Sequence, residues 1–449
     1  MAVATADHWS SRFAFLMAAV GFAVGLGNIW RFPYIAGENG GAAFVIVYLL
    51  CAFGIAMPIL IAELMVGRRG QVSPPQAMAA VALESKRSQH WQWVGGMSLL
   101  AAYMIEIVYA VIVGWVLWYL FKAVTTGFLD VDAANAAAQF SAVQADTAGM
   151  LFWTLAGLAI TGLIIYAGVK NGIERAVVVM MPLMFLLLIG LAVYNYFTGG
   201  FSEATAWLFT PDFSKIGPDA VLAAIGQAFF SIGVAMGGMM IYGSYLPKSI
   251  SIGQSALIVV IVDTAVALLA GLVIFPAVFH HGLDPAAGAG LIFQTLPVAF
   301  AQMPGGQIFS VLFFTMLSVA GITSMVGLVE CVNAWMEERF GMPRHRSAVL
   351  VVSSVAVLSV PSILSYNLWA DVSLGGSNFN DSIDYFSNQI LLPLGGLLIA
   401  VFAGWAMTSA ASRDELSGMG AISYGLWRFM IRFVVPPALI VIFVRGVVG

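Results

Sequence analysis

Apolar stretches recur along the whole chain, each long enough to cross about 30 Å of hydrocarbon. They run over 13–37, 42–67, 93–121, 149–169, 174–198, 217–243, 254–279, 306–336, 347–368, 384–410 and 421–446, and are numbered here as spans 1 to 11. Two of them are interrupted. Span 1 carries Gly21-Phe22-Ala23-Val24-Gly25-Leu26-Gly27-Asn28, and span 6 carries Gly233-Val234-Ala235-Met236-Gly237-Gly238. Glycine costs about 1 kcal/mol against alanine inside a helix, and in hydrocarbon every backbone group freed by a break needs another partner. One such run is also what a close helix-packing face looks like. Two breaks, five spans apart, predict instead a pair of inverted repeats with a binding site at mid-membrane. The expected fold is an all-α membrane protein of about eleven transmembrane helices. Its single domain, 1–449, would hold repeats over about 10–200 and 215–410 and an additional helix over about 421–446.

Composition agrees with that pattern: 61% of the 449 residues are hydrophobic and 9% are charged, too few polar groups to cover a soluble globule of this size. The start, MAVATADHWSSRF, has neither a basic segment ahead of a short apolar core nor a small-residue cleavage site, so no removable signal peptide is expected. A cytoplasmic amino terminus places Arg12, Arg68, Arg69, Lys86, Arg87, Lys170, Arg175, Lys248, Arg339, Arg344, Arg346 and Arg413 inside, against Lys122, Lys215 and Arg445 outside. That asymmetry satisfies the positive-inside rule and predicts a carboxyl terminus outside the cell inner membrane. The net charge of -4 says nothing about partners, and no nucleic-acid partner is expected. Cys51 and Cys331 fall within spans and read as buried free thiols. Residues 284–305 are semi-apolar and interrupted, and predict a helical hairpin dipping from the outer side as a plug. The loop near 371–384 is polar and acidic.

A charge at the centre of a membrane helix costs at least about 2.5 kcal/mol on insertion scales, so each one asks for a function. Arg31, Glu38, Glu63, Glu106, Asp263, Glu330 and Asp384 qualify. Arg31, three residues beyond Asn28, and Asp384, opening span 10, suit an external gate closed by an ion pair; snorkelling to water is the plainer reading of each. Asp263 lies well inside span 7 with no basic residue near it in sequence, and a hard cation such as sodium is its natural companion. Ser231 and Asn28 offer further oxygens. On span 8, Ala320, Thr323 and Ser324 stand at i, i+3 and i+4 on one helix face. The alternative for the two hydroxyls is a bond back to their own helix.

The stretch GFAVGLGNIWRFPYIAGENGGAAF, with Pro58 and Glu63 after it, resembles the neurotransmitter:sodium symporter family, including its bacterial leucine and hydrophobic amino-acid carriers. GQAFFSIGVAMGGMMIYGSY in span 6, AGITSM in span 8 and DYFSNQILLPLGG in span 10 extend the resemblance over essentially the whole chain. It implies two sodium sites. Ala23, Asn28, Ser231 and Asp263 would form the first together with the substrate carboxylate; Gly21, Val24 and Ala320 carbonyls with the Thr323 and Ser324 hydroxyls would form the second. Substrate would meet Phe22, Ala23, Gly25, Leu26, Gly27, Ile105, Tyr109, Phe230, Ser231, Gly233, Met236, Met325 and Leu328. Tyr109 would bind its carboxylate, Phe230 would lie above it as a lid, and Gly233 would leave it room. Glu63 would bond the opened backbone of both broken helices, Arg31 and Asp384 would close the outer gate, and Trp9, Tyr245 and Glu338 would belong to the inner one.

Departures from the family pattern sharpen the expectation. Monoamine carriers have an aspartate where this chain has Gly25, so an amine without its own carboxylate lacks a partner, and a hydrophobic L-amino acid is the leading substrate. Chloride-dependent relatives surround an anion with the equivalents of Tyr48, Gln227 and Ser231 plus an asparagine and a serine on span 7. Asp263 and Ala267 stand there instead, which implies chloride independence. Glu106, one turn before Tyr109, replaces a small uncharged residue and reads equally as a substrate or proton site and as a structural hydrogen bond. The arginine of the family's inner gate is Ala6. Gly172 and Pro182 keep a spacing that the family links to unwinding of span 5. The expected activity is sodium-coupled import of a hydrophobic L-amino acid by alternating access. A carrier of GABA, betaine or taurine is the alternative within the class, and an ion channel a remote one. No metal or Ser/His motif in the spans suggests an enzyme.

Overall fold

The computed structural model describes residues 8–129, 131–283, 290–373 and 376–448, and these are helical apart from loops and one isolated bridge between Gly41 and Pro211. Nine of the described helices are long and apolar enough to cross a membrane: Ala42–Gly70, Gln89–Thr125, Thr147–Tyr166, Val169–Phe197, Ile252–His280, Gly306–Phe340, Arg344–Leu364, Phe379–Ala406 and Ala421–Val447. They correspond to spans 2 to 5 and 7 to 11. Span 1 is a pair, Arg12–Ala23 and Gly27–Glu38, bent by 54° at its break. Span 6 is Pro218–Ile232 followed by Gly238–Ser244.

Burial sorts the spans into centre and rim. The apolar window of span 8 is 83% buried and that of span 3 is 72% buried, whereas span 11 reaches only 28%. Span 4, span 5 and span 11 turn Leu163, Leu186 and Ile440 outward, where an apolar side chain faces lipid rather than water. Both halves of span 1 and the break of span 6 are enclosed by the centre.

Glycines set the closest approaches. A Cβ at Gly67 would lie 1.9 Å from the Met240 carbonyl, so span 2 packs on the second half of span 6 backbone to backbone. At Gly172 a Cβ would lie 1.9 Å from the Ile164 carbonyl, and there span 5 opens with a wide turn, Val169–Glu174. Pro182 follows inside the same helix, so span 5 is continuous but carries two weak points.

The segment before span 8, expected to be a hairpin, is described only in part. Residues 284–289 lie outside the described residues, and 291–302 form one short helix. Its Phe293 ring is wholly buried against Trp115 and Phe140, at 5.8 and 5.2 Å between centroids, and its carbonyl accepts a bond from the Tyr119 hydroxyl at 2.8 Å. Aromatic burial therefore holds this helix down. Cys51 and Cys331 are buried free thiols.

Candidate functional site

Two side chains satisfy the break in span 1, one from the same span and one from span 3. The first half ends at Ala23, and the Val24 N–H still reaches the Val20 carbonyl at 2.7 Å. The next two donors leave the helix: Gly25 N–H bonds Asn28 Oδ1 at 3.2 Å, and Leu26 N–H bonds the Tyr109 hydroxyl at 3.0 Å. In span 6, Gly233, Ala235 and Gly237 all adopt left-handed backbone, with φ of 70°, 66° and 76°. Ala235 carries a side chain, which costs about 1–2 kcal/mol in that conformation. Its N–H donates to Glu63 Oε2 at 3.1 Å, so the buried acid of span 2 holds the strained turn. Among the hydrogen bonds described, Glu63 reaches this break and not that of span 1.

Asp263 is the charged centre. Asn28 Nδ2 lies 2.7 Å from its Oδ1 and 2.8 Å from Ser231 Oγ; Ser231 Oγ and the Tyr48 hydroxyl bond Oδ2 at 2.7 and 3.2 Å. All these partners are neutral, Asp263 is fully buried, and no ion pair among the described residues includes it. A buried carboxylate without a cation is costly, and the oxygen donors around it are those a hard cation takes. The residues present fit sodium on that chemistry.

The second oxygen cluster joins span 8 to the end of the first half of span 1. Ser324 Oγ lies 3.4 Å from the Gly21 carbonyl and 3.3 Å from that of Phe22. Thr323 Oγ1 is bonded back to the Val319 and Ala320 carbonyls at 3.0 and 3.1 Å, the local arrangement that a hydroxyl in a membrane helix adopts readily. A Cβ at Gly21 would lie 3.3 Å from Thr323 Cβ, so the two helices touch here.

Between the clusters lies a cavity of about 30 Å³, walled by both breaks and by spans 3 and 8. Phe22, Ala23, Gly25, Gly27, Ile105, Tyr109, Phe230, Gly233, Met236 and Leu328 line it, together with Asn28 and Ser324. Three residues expected on substrate stand off the wall. Leu26 contributes through its bond to Tyr109, and Ser231 belongs to the Asp263 cluster. Met325 points away: its sulfur faces the Thr161 hydroxyl of span 4 at 3.9 Å, because the position after Ser324 is turned by about 100° around the helix. The room at Gly233 is taken by Phe22. Cβ atoms at Gly233, Gly238 and Gly327 would come within 2.9, 2.3 and 2.1 Å of that ring. Gly238 and Gly327 were not among the expected site residues. Gly327, one turn after Ser324, was the available signal.

Access is unequal on the two faces. Away from Trp9, a vestibule of about 600 Å³ reaches Phe230 past Arg31, Asp219, Tyr385 and Arg445. A smaller cavity lined by Tyr109, Phe230, Asp384 and Asn388 continues from it. No ion pair joins Arg31 to Asp384. The Arg31 guanidinium instead lies 5.1 Å from the Phe230 ring centroid, and Asn388 donates to Asp384 Oδ1 at 2.8 Å. On the other face Trp9 is buried, its indole N–H donating to the Tyr242 carbonyl at 3.0 Å and its ring standing edge-on to Tyr242 and Tyr245. Tyr245 donates to Glu330 Oε1 at 2.8 Å, and Arg344 pairs with Glu330 at 2.6 Å and with Glu337 at 3.1 Å. Glu338 turns elsewhere, accepting the Ser73 N–H at 2.8 and 2.9 Å. Ala6 lies outside the described residues. Arg344, a loop residue in the sequence, is the basic member of this seal.

The model of the sodium:neurotransmitter symporter family matches residues 6–138 and 136–449. The chain belongs to that family. It is 35% identical to an uncharacterized sodium-dependent transporter, YhdH, of Bacillus subtilis, over 98% of this chain and 97% of that protein. An uncharacterized sodium-dependent transporter of Haemophilus influenzae is 34% identical over 98% and 97% of the two chains. Among solved structures, MhsT in complex with L-phenylalanine superposes with a TM-score of 0.90 at 38% identity, covering 98% of this chain and 99% of that one. The chain is therefore a sodium-dependent membrane transporter and not an enzyme.

Against the family pattern, Glu106 keeps its strangeness. It is 1% exposed, lies on span 3 one turn before Tyr109, and neither of its oxygens has a hydrogen-bond partner among the described residues. It does not line the cavity.

Proposed function

We propose that this symporter imports a hydrophobic L-amino acid with two sodium ions, independently of chloride. The observation that carries the reading is the cavity between the two breaks, with the uncompensated Asp263 beside it. A zwitterion suits such a place: its carboxylate would meet Tyr109 and a sodium held by Asn28 and Asp263, and its ammonium the freed carbonyls of the breaks. The first sodium would use Ala23, Asn28, Ser231 and Asp263. The second would use Gly21, Val24, Ala320, Thr323 and Ser324, with Thr323 exchanging its bond to Ala320 for the ion. Gly25 supports an amino acid over a monoamine, because a side chain there would fall 2.7 Å from Ser324 Oγ and 2.8 Å from the Tyr109 hydroxyl. The mostly apolar wall of Phe22, Ile105, Phe230, Met236 and Leu328 favours a hydrophobic side chain, and the complex of MhsT with L-phenylalanine is in keeping with that.

Repeats over about 10–200 and 215–410 would rock against each other in the plasma membrane, with the amino terminus cytoplasmic and the carboxyl terminus outside. In that orientation the vestibule above Phe230 faces outward and the Trp9 seal inward. Arg31 and Asp384 would close over Phe230 once substrate is bound, and Gly172 with Pro182 would let span 5 unwind as the inner side opens. Sodium and substrate favour the same occluded arrangement, so each raises the affinity for the other.

Uptake of radiolabelled amino acids into proteoliposomes tests this directly. Accumulation of leucine or phenylalanine should require an inward sodium gradient and survive replacement of chloride by gluconate. Sodium-independent accumulation defeats the coupling. Competition by GABA, betaine or taurine, without competition by hydrophobic amino acids, defeats the substrate class.

A further inference from the structure

Arg428 and Arg432 stand four residues apart in the first half of span 11, and so share one face of the helix Ala421–Val447. Arg428 Nη1 donates to the Tyr424 hydroxyl at 2.8 Å and to Ser412 Oγ at 3.3 Å. Arg432 Nε donates to the Gly404 carbonyl at the end of span 10, and its guanidinium lies 5.9 Å from the Trp405 ring centroid. Arg413, in the connection between the two spans, lays its guanidinium 5.1 Å from the Tyr424 ring centroid. Three guanidinium groups thus converge on Tyr424 and the end of span 10, and every one of these partners is neutral. Among the described residues no ion pair includes any of the three.

Arg87 likewise meets only a carbonyl, that of Ala406 at 3.4 Å, whereas three other cations of this face behave differently. Arg68, Arg69 and Lys248 all reach Glu415, Glu84 or Asp414, and Asp414, although next to Arg413 in sequence, turns to Arg69 at 2.8 Å and to Lys248 at 3.8 Å. A guanidinium carries five N–H donors, so the cluster keeps donors and three positive charges for an anion. Trp405, Phe429 and Phe433 are exposed by 41%, 53% and 59% on helices that cross the membrane. Aromatic rings with arginines beside them at the end of a span mark the level of lipid headgroups.

We propose that Arg413, Arg428 and Arg432 bind the phosphate of an anionic phospholipid on the face of the membrane that carries Trp9. Fork-shaped donors suit a phosphodiester, and clustered basic residues at a membrane surface gain affinity from an anionic leaflet. The three exposed rings favour a lipid over a soluble anion, since they would pack against its glycerol and upper acyl chains. The bound lipid ties the connection between spans 10 and 11 to the rim of the protein.

Native mass spectrometry of the full-length protein, with phosphatidylglycerol and phosphatidylcholine of the same acyl chains, tests the site. Phosphatidylglycerol should be retained at least about fivefold more than phosphatidylcholine. Arg428→Gln with Arg432→Gln should lower its retention to the phosphatidylcholine level. Lys170→Gln with Arg346→Gln, which removes two exposed charges elsewhere, should leave it as in the unaltered protein. Should the arginine pair fail to fold, Arg413→Gln alone should halve the preference. Equal retention of the two lipids, an unchanged preference in the arginine variants, or an equal loss in the control pair overturns the proposal. Displacement of phosphatidylglycerol by millimolar inorganic phosphate overturns it too, by assigning the site to a soluble anion.

Discussion

The indole N–H of Trp9 donates to the carbonyl of Tyr242 at 3.0 Å, joining the amino-terminal arm to the second half of span 6. Edge-on contacts with Tyr242 and Tyr245, at 5.4 and 6.0 Å between centroids, complete the seal. One hydrogen bond and two ring contacts together amount to about 2 kcal/mol, a shift of roughly thirtyfold in a two-state equilibrium. Trp9→Ala should therefore open this face. Cys331, buried beneath the span 6 break with its sulfur 3.7 Å from the Met236 carbonyl, reports it. In a Cys51→Ala background, maleimide labelling of Cys331 should accelerate at least about tenfold, and an unchanged rate would place the seal elsewhere.

Asp263 supplies a fixed negative charge among Asn28, Tyr48 and Ser231. Replacing it by Asn, together with Ala267→Ser, removes that charge and offers neutral donors. Uptake by the double variant should become dependent on chloride, with little activity in gluconate. Equal uptake in both media would mean that the carboxylate does not stand in for an anion.

A methyl group at position 25 meets two polar groups of the cavity, Ser324 Oγ at 2.7 Å and the Tyr109 hydroxyl at 2.8 Å. Gly25→Ala should weaken amino-acid binding by about 10- to 100-fold, since Tyr109 must move and its bond to Leu26 is then lost, at about 1–3 kcal/mol. Gly54→Ala, where a Cβ meets nothing within 4 Å, is the matched control in a scintillation proximity assay.

Glu106 has no hydrogen-bonding partner among the described residues, and an acid placed inside a membrane span asks for a function. Glu106→Gln keeps the shape and removes the titration. We expect uptake of the variant to respond less to pH while its substrate preference stays the same. A pH profile identical to that of the parent would leave the acid a structural role.

On the Trp9 face, Arg68 and Glu415 form a buried pair at 2.7 Å, and Arg68 also bonds the Ile250 carbonyl at 2.6 Å. Arg68→Ala leaves a buried carboxylate with Arg69 alone, 3.2 Å away. That loss should destabilise the protein by about 3 kcal/mol, seen as a lower temperature of half-aggregation in detergent. Nearby, hydrogen bonds from Arg69 hold Glu84 and Asp414 below the usual carboxylate range. Their contribution is complete above the pKa of the unfolded chain and fades as pH falls through the lower folded values. Arg69→Gln should accordingly narrow the stability difference between pH 6 and pH 3, and both acids are exposed enough to keep the effect small.

Much of this protein was legible along the chain. Spans are long and apolar because hydrocarbon allows little else, so their number and most of their limits followed from local composition. The two breaks were visible too, because glycine in such a helix has a local cost. The family motifs carried the grouping of Asn28 with Ser231 and Asp263, residues up to 235 positions apart. Tertiary packing decided what local patterns do not contain. The direction of Met325 depends on the helix across from it, and the room at Gly233 is filled by a ring that also needs Gly238 and Gly327. Arg31 lies against Phe230 instead of pairing with Asp384, and Arg344, the first residue of span 9, meets Glu330. Each of these is a choice among partners that sequence separation leaves equally distant, and only the packed helices set the distances that settle it.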